Sequence, residues 1–224
     1  MKRDYVAVIY DRKIRPVTQY PDQLAEYLCR RFSIARGSKL LDVGFGRGDF
    51  LRALGRRGLR VAGVDQSEAA LKECGDLEVK ACVAGREALP FPDSSFDVVF
   101  HKSLLEHLEN PEPLMDESMR VLRPGGQLIV LVPDWISQMG IFYDDHTHRR
   151  PYTAASLHDL MVMTGFKQCI VERFYQLPIL WRFPLLKIIS KALQKIIRPE
   201  HRPQLSFIRW SVELMVLGSA QKPL

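Results

Sequence analysis

Three glycines at alternate positions, Gly44, Gly46 and Gly48, follow the apolar run Leu40-Leu-Asp-Val43 and precede Asp49-Phe50. Glycine lets a backbone take positive φ and approach a ligand closely, so this run reads as a binding loop between a strand and a helix. Asp49 stands where the dinucleotide fingerprint G-x-G-x-x-G needs its third glycine, which argues against a dinucleotide. Asp42, just ahead of the loop, is a poor neighbour for a pyrophosphate and a good one for an ammonium or sulfonium. Asp65 ends the next apolar strand (Val61-Ala-Gly-Val64), the place where a ribose diol is held in such folds. A second polar cluster is Tyr143-Asp-Asp-His-Thr-His-Arg-Arg150. Its two carboxylates, with His146 and His148, have the chemistry of divalent-metal ligands. Neighbours in an irregular loop rarely converge on one ion, and no metal is expected.

The elements that position these groups alternate strand and helix, the pattern of a parallel sheet covered on both faces. Apolar runs predict strands near 39–43, 60–64, 78–83, 96–100 and 127–132, then near 167–175 and 213–219. Leu24, Leu28 and Phe32 line one side of a helix from Asp22 to about Ile34. Arg123-Pro-Gly-Gly126 ends a helix and turns into the strand Gln127–Val132. Thr153 is an N-cap candidate for a helix to about Thr164, closed by Gly165.

The glycine loop, Leu89-Pro-Phe-Pro-Asp-Ser-Ser-Phe-Asp-Val-Val-Phe100, Leu105-Glu-His-Leu108 and Val121-Leu-Arg-Pro-Gly-Gly126 resemble, in order, the landmarks of class I S-adenosylmethionine-dependent methyltransferases. The resemblance runs from about residue 39 to about 175. It implies an α/β fold, a Rossmann-like, doubly wound, seven-stranded and mostly parallel sheet with an antiparallel C-terminal edge hairpin. It also implies S-adenosylmethionine as cofactor, with Gly44, Gly46 and Gly48 under its methionyl part. Asp42 is then expected on the amino group, Asp65 on both ribose hydroxyls and Gln66 beside the adenine. The acid that the family often places on the adenine amino group is replaced by Gly85, with Arg86 and Glu87 nearby. His107 corresponds to a histidine common in the small-molecule branch and is the candidate base or orienter. His101, after the fourth strand, is a second candidate, with its carbonyl against the cofactor. Asp134 follows the fifth strand, and His148, Arg149 and Tyr152 are candidates to bind an anionic or hydroxylated acceptor. A packing role for His107 and a helix-entry role for the 143–150 loop stay open.

Length and composition fit one globular domain. The sequence divides into an N-terminal helical or lid segment (1–38), a cofactor core (39–177), a basic amphipathic insert (178–211) and a return strand with tail (212–224). Between Pro178 and Trp210 there are seven basic residues (Arg182, Lys187, Lys191, Lys195, Arg198, Arg202, Arg209) and one acid, Glu200, an excess equal to the +6 of the whole chain. Aliphatic residues from Leu185 to Ile197 recur at helical spacing, with Trp181 and Phe183 at the entrance. Such a helix suits an anionic membrane surface through 181–198. Its apolar face equally suits the protein's own core or a second subunit in a homodimer. Four scattered cysteines and no signal peptide or long apolar run point to a cytoplasmic protein, peripheral at the inner membrane face if the insert binds lipid. The function expected is methyl transfer to a small-molecule, lipid or lipid-linked glycan acceptor, at oxygen, with a histidine base. The alternatives are a nucleic-acid methyltransferase and a non-catalytic regulator or scaffold. Nucleic acid is disfavoured, because no N-P-P-Y-type element and no interleaved basic and aromatic stripe is present.

Overall fold

The computed structural model describes residues 4–9, 12, 16–197 and 205–224. Lys13, Arg198, Glu200 and Arg202 lie outside the described residues. In chain order the elements are α1 (Tyr5–Ile9), α2 (Tyr20–Arg31), β1 (Lys39–Val43), α3 (Asp49–Arg56), β2 (Arg60–Asp65), α4 (Glu68–Glu73), β3 (Glu78–Ala81) and β4 (Phe96–Lys102). There follow α5 (Glu112–Val121), β5 (Leu122–Pro133), α6 (Trp135–Gln138), α7 (Ala154–Met163), β6 (Lys167–Phe174), α8 (Pro178–Arg182), α9 (Lys187–Ile196), α10 (Ser206–Val212) and β7 (Met215–Gln221).

One seven-stranded sheet runs in the order β3-β2-β1-β4-β5-β7-β6. Strands β1 to β5 pair in parallel, and β7 lies antiparallel between β5 and β6. This is the doubly wound sheet with an antiparallel C-terminal edge that the sequence implied. The two-residue period of a strand sends successive side chains to opposite faces. Leu41, Val43 and Val99 therefore join α5 and α7 through Leu114, Met115, Leu157 and Met161. Leu40, Val98 and Phe100 join α2 and α3 through Leu24, Leu28, Ala53 and Leu54 on the other face. Gly218 in β7 lets α7 come close, since a Cβ there would lie 2.6 Å from Met161 Cε.

Thr153 caps α7 by accepting from the Ser156 amide at 3.1 Å, and the Ser156 hydroxyl oxygen accepts in turn from the Thr153 amide at 2.9 Å. The Arg123-Pro-Gly-Gly126 turn is drawn into β5, where a register shift between Phe96 and Val98 absorbs it.

The helical spacing from Leu185 to Ile197 is realised as α9, with Trp181 in the separate α8 ahead of it and a short 3-10 turn from Pro184 between the two. Trp181 of α8 stacks on Phe174 at 5.4 Å and leans on Tyr27. Buried Ser190 of α9 bonds Ser211 at 3.1 Å, and Gln194 donates to the Ser211 carbonyl. These contacts tie one face of α9 to α10. Leu185, Ile188 and Ile196 on its other side are 82%, 69% and 78% exposed. Among the described residues no helix is long and apolar enough to cross a membrane.

Arg120 of α5 clamps the loop before β4. It donates to the Leu89 and Phe91 carbonyls at 2.9 Å and to the carboxylates of Asp93 and Glu117. Removing it leaves two carbonyls without a side-chain donor, at roughly 1 kcal/mol each. Arg120→Ala is expected to lower unfolding free energy by about 2 kcal/mol in urea denaturation, with an unchanged m-value.

Candidate active site

The sheet order reverses around β1, and the carboxyl ends of β1, β2 and β4 meet there. β1 delivers Asp42, in register with Gly63 and Phe100. The chain then turns through Gly44, Gly46 and Gly48 with φ of 76°, 56° and 76°, a region residues with a Cβ rarely enter. A Cβ on Gly48 would lie 2.2 Å from Cys74 Sγ, so that position is tied to packing against α4. A Cβ on Gly46 would meet nothing within 4 Å, so its backbone borders open space.

Asp65 organises the loop from the end of β2. Its carboxylate accepts from the Gly46 amide at 2.8 Å and from the Ser67 amide at 2.9 Å. The Tyr5 hydroxyl also donates to it, lying 3.0 Å from both oxygens. Asp4 holds α1 in place by accepting from Ser67 Oγ at 2.7 Å and the Ala69 amide at 3.2 Å. Val6 is buried with Phe45, Ala70 and Cys74. The sequence marks 1–38 as helical, yet nothing in its pattern singles out Tyr5, whose partner is 60 residues away.

Asp42 is 2% exposed, and its carboxyl is pushed up to about 8, first by burial and then by the charge of Asp65, with Lys102 acting against both. Burial also raises the Asp65 carboxyl, opposed by its bonds from Ser67, Gly46 and Tyr5. A cation beside Asp42 would relieve this. Gln66 is exposed directly after Asp65. Arg86 is exposed, and Glu87 folds back so that its carboxylate accepts from the Val83 amide at 2.8 Å. Gly85 has φ of 79°, and a Cβ there would crowd Leu108 at 3.2 Å, so an acidic side chain is strained at that position.

The β4 end carries the second group of polar residues. Leu104 lies 3.1 Å from where a Gly44 Cβ would be, which sets the turn Leu105–His107 beside the glycine loop. The amides of Arg149 and Arg150 donate to the Glu106 carbonyl at 2.7 and 3.1 Å and hold the 143–150 loop against that turn. His107 and His148 thereby face each other, ring centroids 4.9 Å apart. Burial and the neighbouring His148 keep the His107 pKa below its usual value. Lys102 reaches over the Phe50 ring at 4.9 Å, and its field acts on Asp42 and Glu106 alike.

The side chains of His101, Asp134 and Tyr152 are taken up by packing or pairing, although His101 stands in register with Val43 at the glycine loop. His101 is fully buried between β4 and α5, with Nε2 3.0 Å from Ser118 Oγ, and burial lowers its pKa to about 3. Its side chain is part of the core. Asp134 caps α6 by accepting from the Ser137 amide and pairs with Arg173 at 2.8 Å. Tyr152 is buried in the core cluster that includes Leu157 and Met161 rather than turned to solvent. Arg149 remains exposed.

Residues 41–130 match the model of a methyltransferase domain family. An uncharacterised protein of Methanocaldococcus jannaschii is 30% identical over 149 residues, covering 63% of this chain and 69% of that one. The chain belongs to the class I S-adenosylmethionine-dependent methyltransferases. Another member, the 27-O-demethylrifamycin SV methyltransferase of Amycolatopsis mediterranei, is 31% identical over 137 residues, covering 55% of this chain and 50% of that methyltransferase. The chain thus spans about half the length of that relative. A crystal structure of an S-adenosylmethionine-dependent methyltransferase from Archaeoglobus fulgidus shares the fold, with a TM-score of 0.68 at 21% identity, covering 96% and 99% of the two chains.

The site of this methyltransferase fits the family's cofactor. A hydroxyl donor already rests on both Asp65 oxygens, as a ribose hydroxyl would, and the Gly46 backbone borders free space. Tyr5 and the ribose would compete for one carboxylate. Asp65→Asn is expected to abolish measurable cofactor binding in isothermal titration. Tyr5→Phe should tighten it by up to roughly tenfold, the worth of one charge-assisted bond of about 1.5 kcal/mol.

Proposed function

We propose that this methyltransferase methylates a hydroxyl of a small apolar acceptor drawn from a membrane surface. The observation that carries the reading is the pair of facing imidazoles beside the glycine loop, one of them in a defined tautomer. Thr147 Oγ1 donates to Asp145 Oδ1 at 2.6 Å, so its lone pair receives Nδ1–H of His107 at 2.9 Å. That leaves Nε2 of His107 as a free base, and its lowered pKa keeps it unprotonated at neutral pH. Bound S-adenosylmethionine supplies a methyl group on a sulfonium, already activated toward an in-line nucleophile. The chain's part is to align the acceptor, exclude water and take the hydroxyl proton on His107 Nε2 as the methyl leaves sulfur for the hydroxyl oxygen. The relative named for 27-O-demethylrifamycin SV supports a hydroxylated small molecule. His107→Gln is expected to lower kcat by roughly a hundredfold or more with cofactor affinity unchanged. Loss of affinity instead would give His107 a packing role.

The membrane part rests on α9. Leu185, Ile188, Ile189 and Ile196 form an exposed stripe beside exposed Lys191 and Lys195. An aliphatic stripe edged by ammonium groups matches the interface of an anionic bilayer, where each lysine near the surface adds roughly 1 kcal/mol. Flotation with phosphatidylserine-containing vesicles at low salt is expected to carry the protein upward, and Ile188→Glu should abolish it. Equal recovery with neutral vesicles, or none with either, would remove this part of the reading.

A further inference from the structure

The Glu106 carboxylate poses a problem that the base mechanism does not use. Glu106 is 1% exposed, and neither carboxylate oxygen has a hydrogen-bond partner among the described residues. A buried carboxyl whose oxygens make no hydrogen bond is costly, and a bound ion is one of the reasons a native structure leaves such a group. Glu106, His107 and His148 can each offer one ligand atom such that all three lie within 4.8 Å of one another. The two imidazoles come from different segments, one from the turn after β4 and one from the 143–150 loop.

The hydrogen bonds around them fix which nitrogens are free. His148 Nδ1 lies 2.6 Å from the Phe142 carbonyl, which can only accept, so Nδ1 carries the proton and Nε2 the lone pair. His107 is locked in the same tautomer through Thr147 and Asp145. Metal-binding imidazoles are held in this way, with the second ring nitrogen donating to a carbonyl or to a chain that ends on a carboxylate. Asp145 Oδ2 lies a further 4.0 Å from His148 Nε2.

We infer that Glu106, His107 and His148 form a binding site for a divalent first-row transition ion. Two imidazoles and one carboxylate suit zinc, cobalt, manganese or iron(II) and not the all-oxygen shells of magnesium and calcium. The ligand atoms must close from their present spacing to about 2.0–2.2 Å from the ion. Three protein ligands leave positions open for a water or an acceptor oxygen. With an ion seated, the lone pair of His107 is engaged. In that form His107 is a ligand and no longer the base. The coordinated acceptor hydroxyl would lose its proton to solvent, and its oxygen would form the bond to the methyl carbon as the methyl–sulfur bond breaks and the neutral thioether leaves. This last role rests on the methyl-transfer reading, whereas ion binding does not.

The test uses the full chain, stripped with a chelator and desalted, then titrated with Co2+ alone. The visible d–d absorption reads coordination, and calorimetry with Zn2+ reads affinity. One ion per chain is expected, at micromolar Kd or tighter. Glu106→Gln and His148→Ala should each weaken binding by at least roughly a hundredfold, and Thr147→Val, which touches only the supporting bond, by about tenfold. Far-ultraviolet circular dichroism and S-adenosylmethionine titration on the same variants should match wild type. Binding that is absent, or equal in wild type and both ligand variants, overturns the site. Loss of S-adenosylmethionine binding in wild type would fail the methyl-transfer reading while leaving the ion result to stand by itself.

Discussion

Carboxyl groups buried at one end of one sheet are the constraint on which the rest of this molecule depends. Asp42, Asp65 and Glu106 are each 3% exposed or less, and all three carboxyls are raised by burial. A carboxylate buried without its counter-charge costs several kcal/mol, so such residues persist only where rigid backbone compels them and a ligand rewards them. The compulsion is visible. Asp42 lies within β1, held between β2 and β4, and Asp65 ends β2 while receiving two backbone amides. Neither can turn to solvent without breaking the ladder that buries Leu41 and Val43 on one face and Leu40 on the other.

The two halves of the site are coupled through the few residues after β4. Leu104 touches the glycine loop, Glu106 and His107 follow within three positions, and Lys102 lends its field to both halves. The 143–150 loop closes this arrangement by giving two backbone amides to the Glu106 carbonyl, which places His148 over His107 without any long side chain having to reach. Separately, α1 lays Tyr5 over Asp65, so the N-terminal segment shares that carboxylate with the glycine loop.

The glycine turn, the acids at the strand ends and the succession of strands were legible because each is a local signal: spacing, apolar runs and a charge at a strand end; the antiparallel edge of the sheet came only with the family resemblance. The Thr153 cap was legible as a local signal too. Features that need two distant segments were not. Tyr5 meets Asp65 across 60 residues, and Glu106 becomes an orphan only once the 143–150 loop packs on its backbone. The sequence put metal-ligand chemistry in that loop and rejected it because its neighbours cannot converge. The structure instead joins one loop histidine to a pair from another turn, and His146 takes no part. His101 and Asp134 were picked for standing at strand ends, but side-chain direction alternates there. Ser118 and Arg173 hold their side chains in structural contacts, while the His101 backbone stays in register with Val43. The helix of the insert was legible in its aliphatic spacing, whereas its tie to α10 through Ser190 and Ser211 was not, because that contact joins two segments.

The central claim is that buried Asp42, held protonated in the free protein, takes up the cationic end of S-adenosylmethionine. Calorimetric titration at pH 7 in two buffers of different ionisation enthalpy counts the protons exchanged on binding. A carboxyl raised to about 8 is mostly protonated at that pH and ionises when an ammonium docks beside it. The account predicts micromolar binding with net release approaching one proton, and release falling toward zero in Asp42→Asn. Binding with no proton released, or the same release in Asp42→Asn, would contradict it.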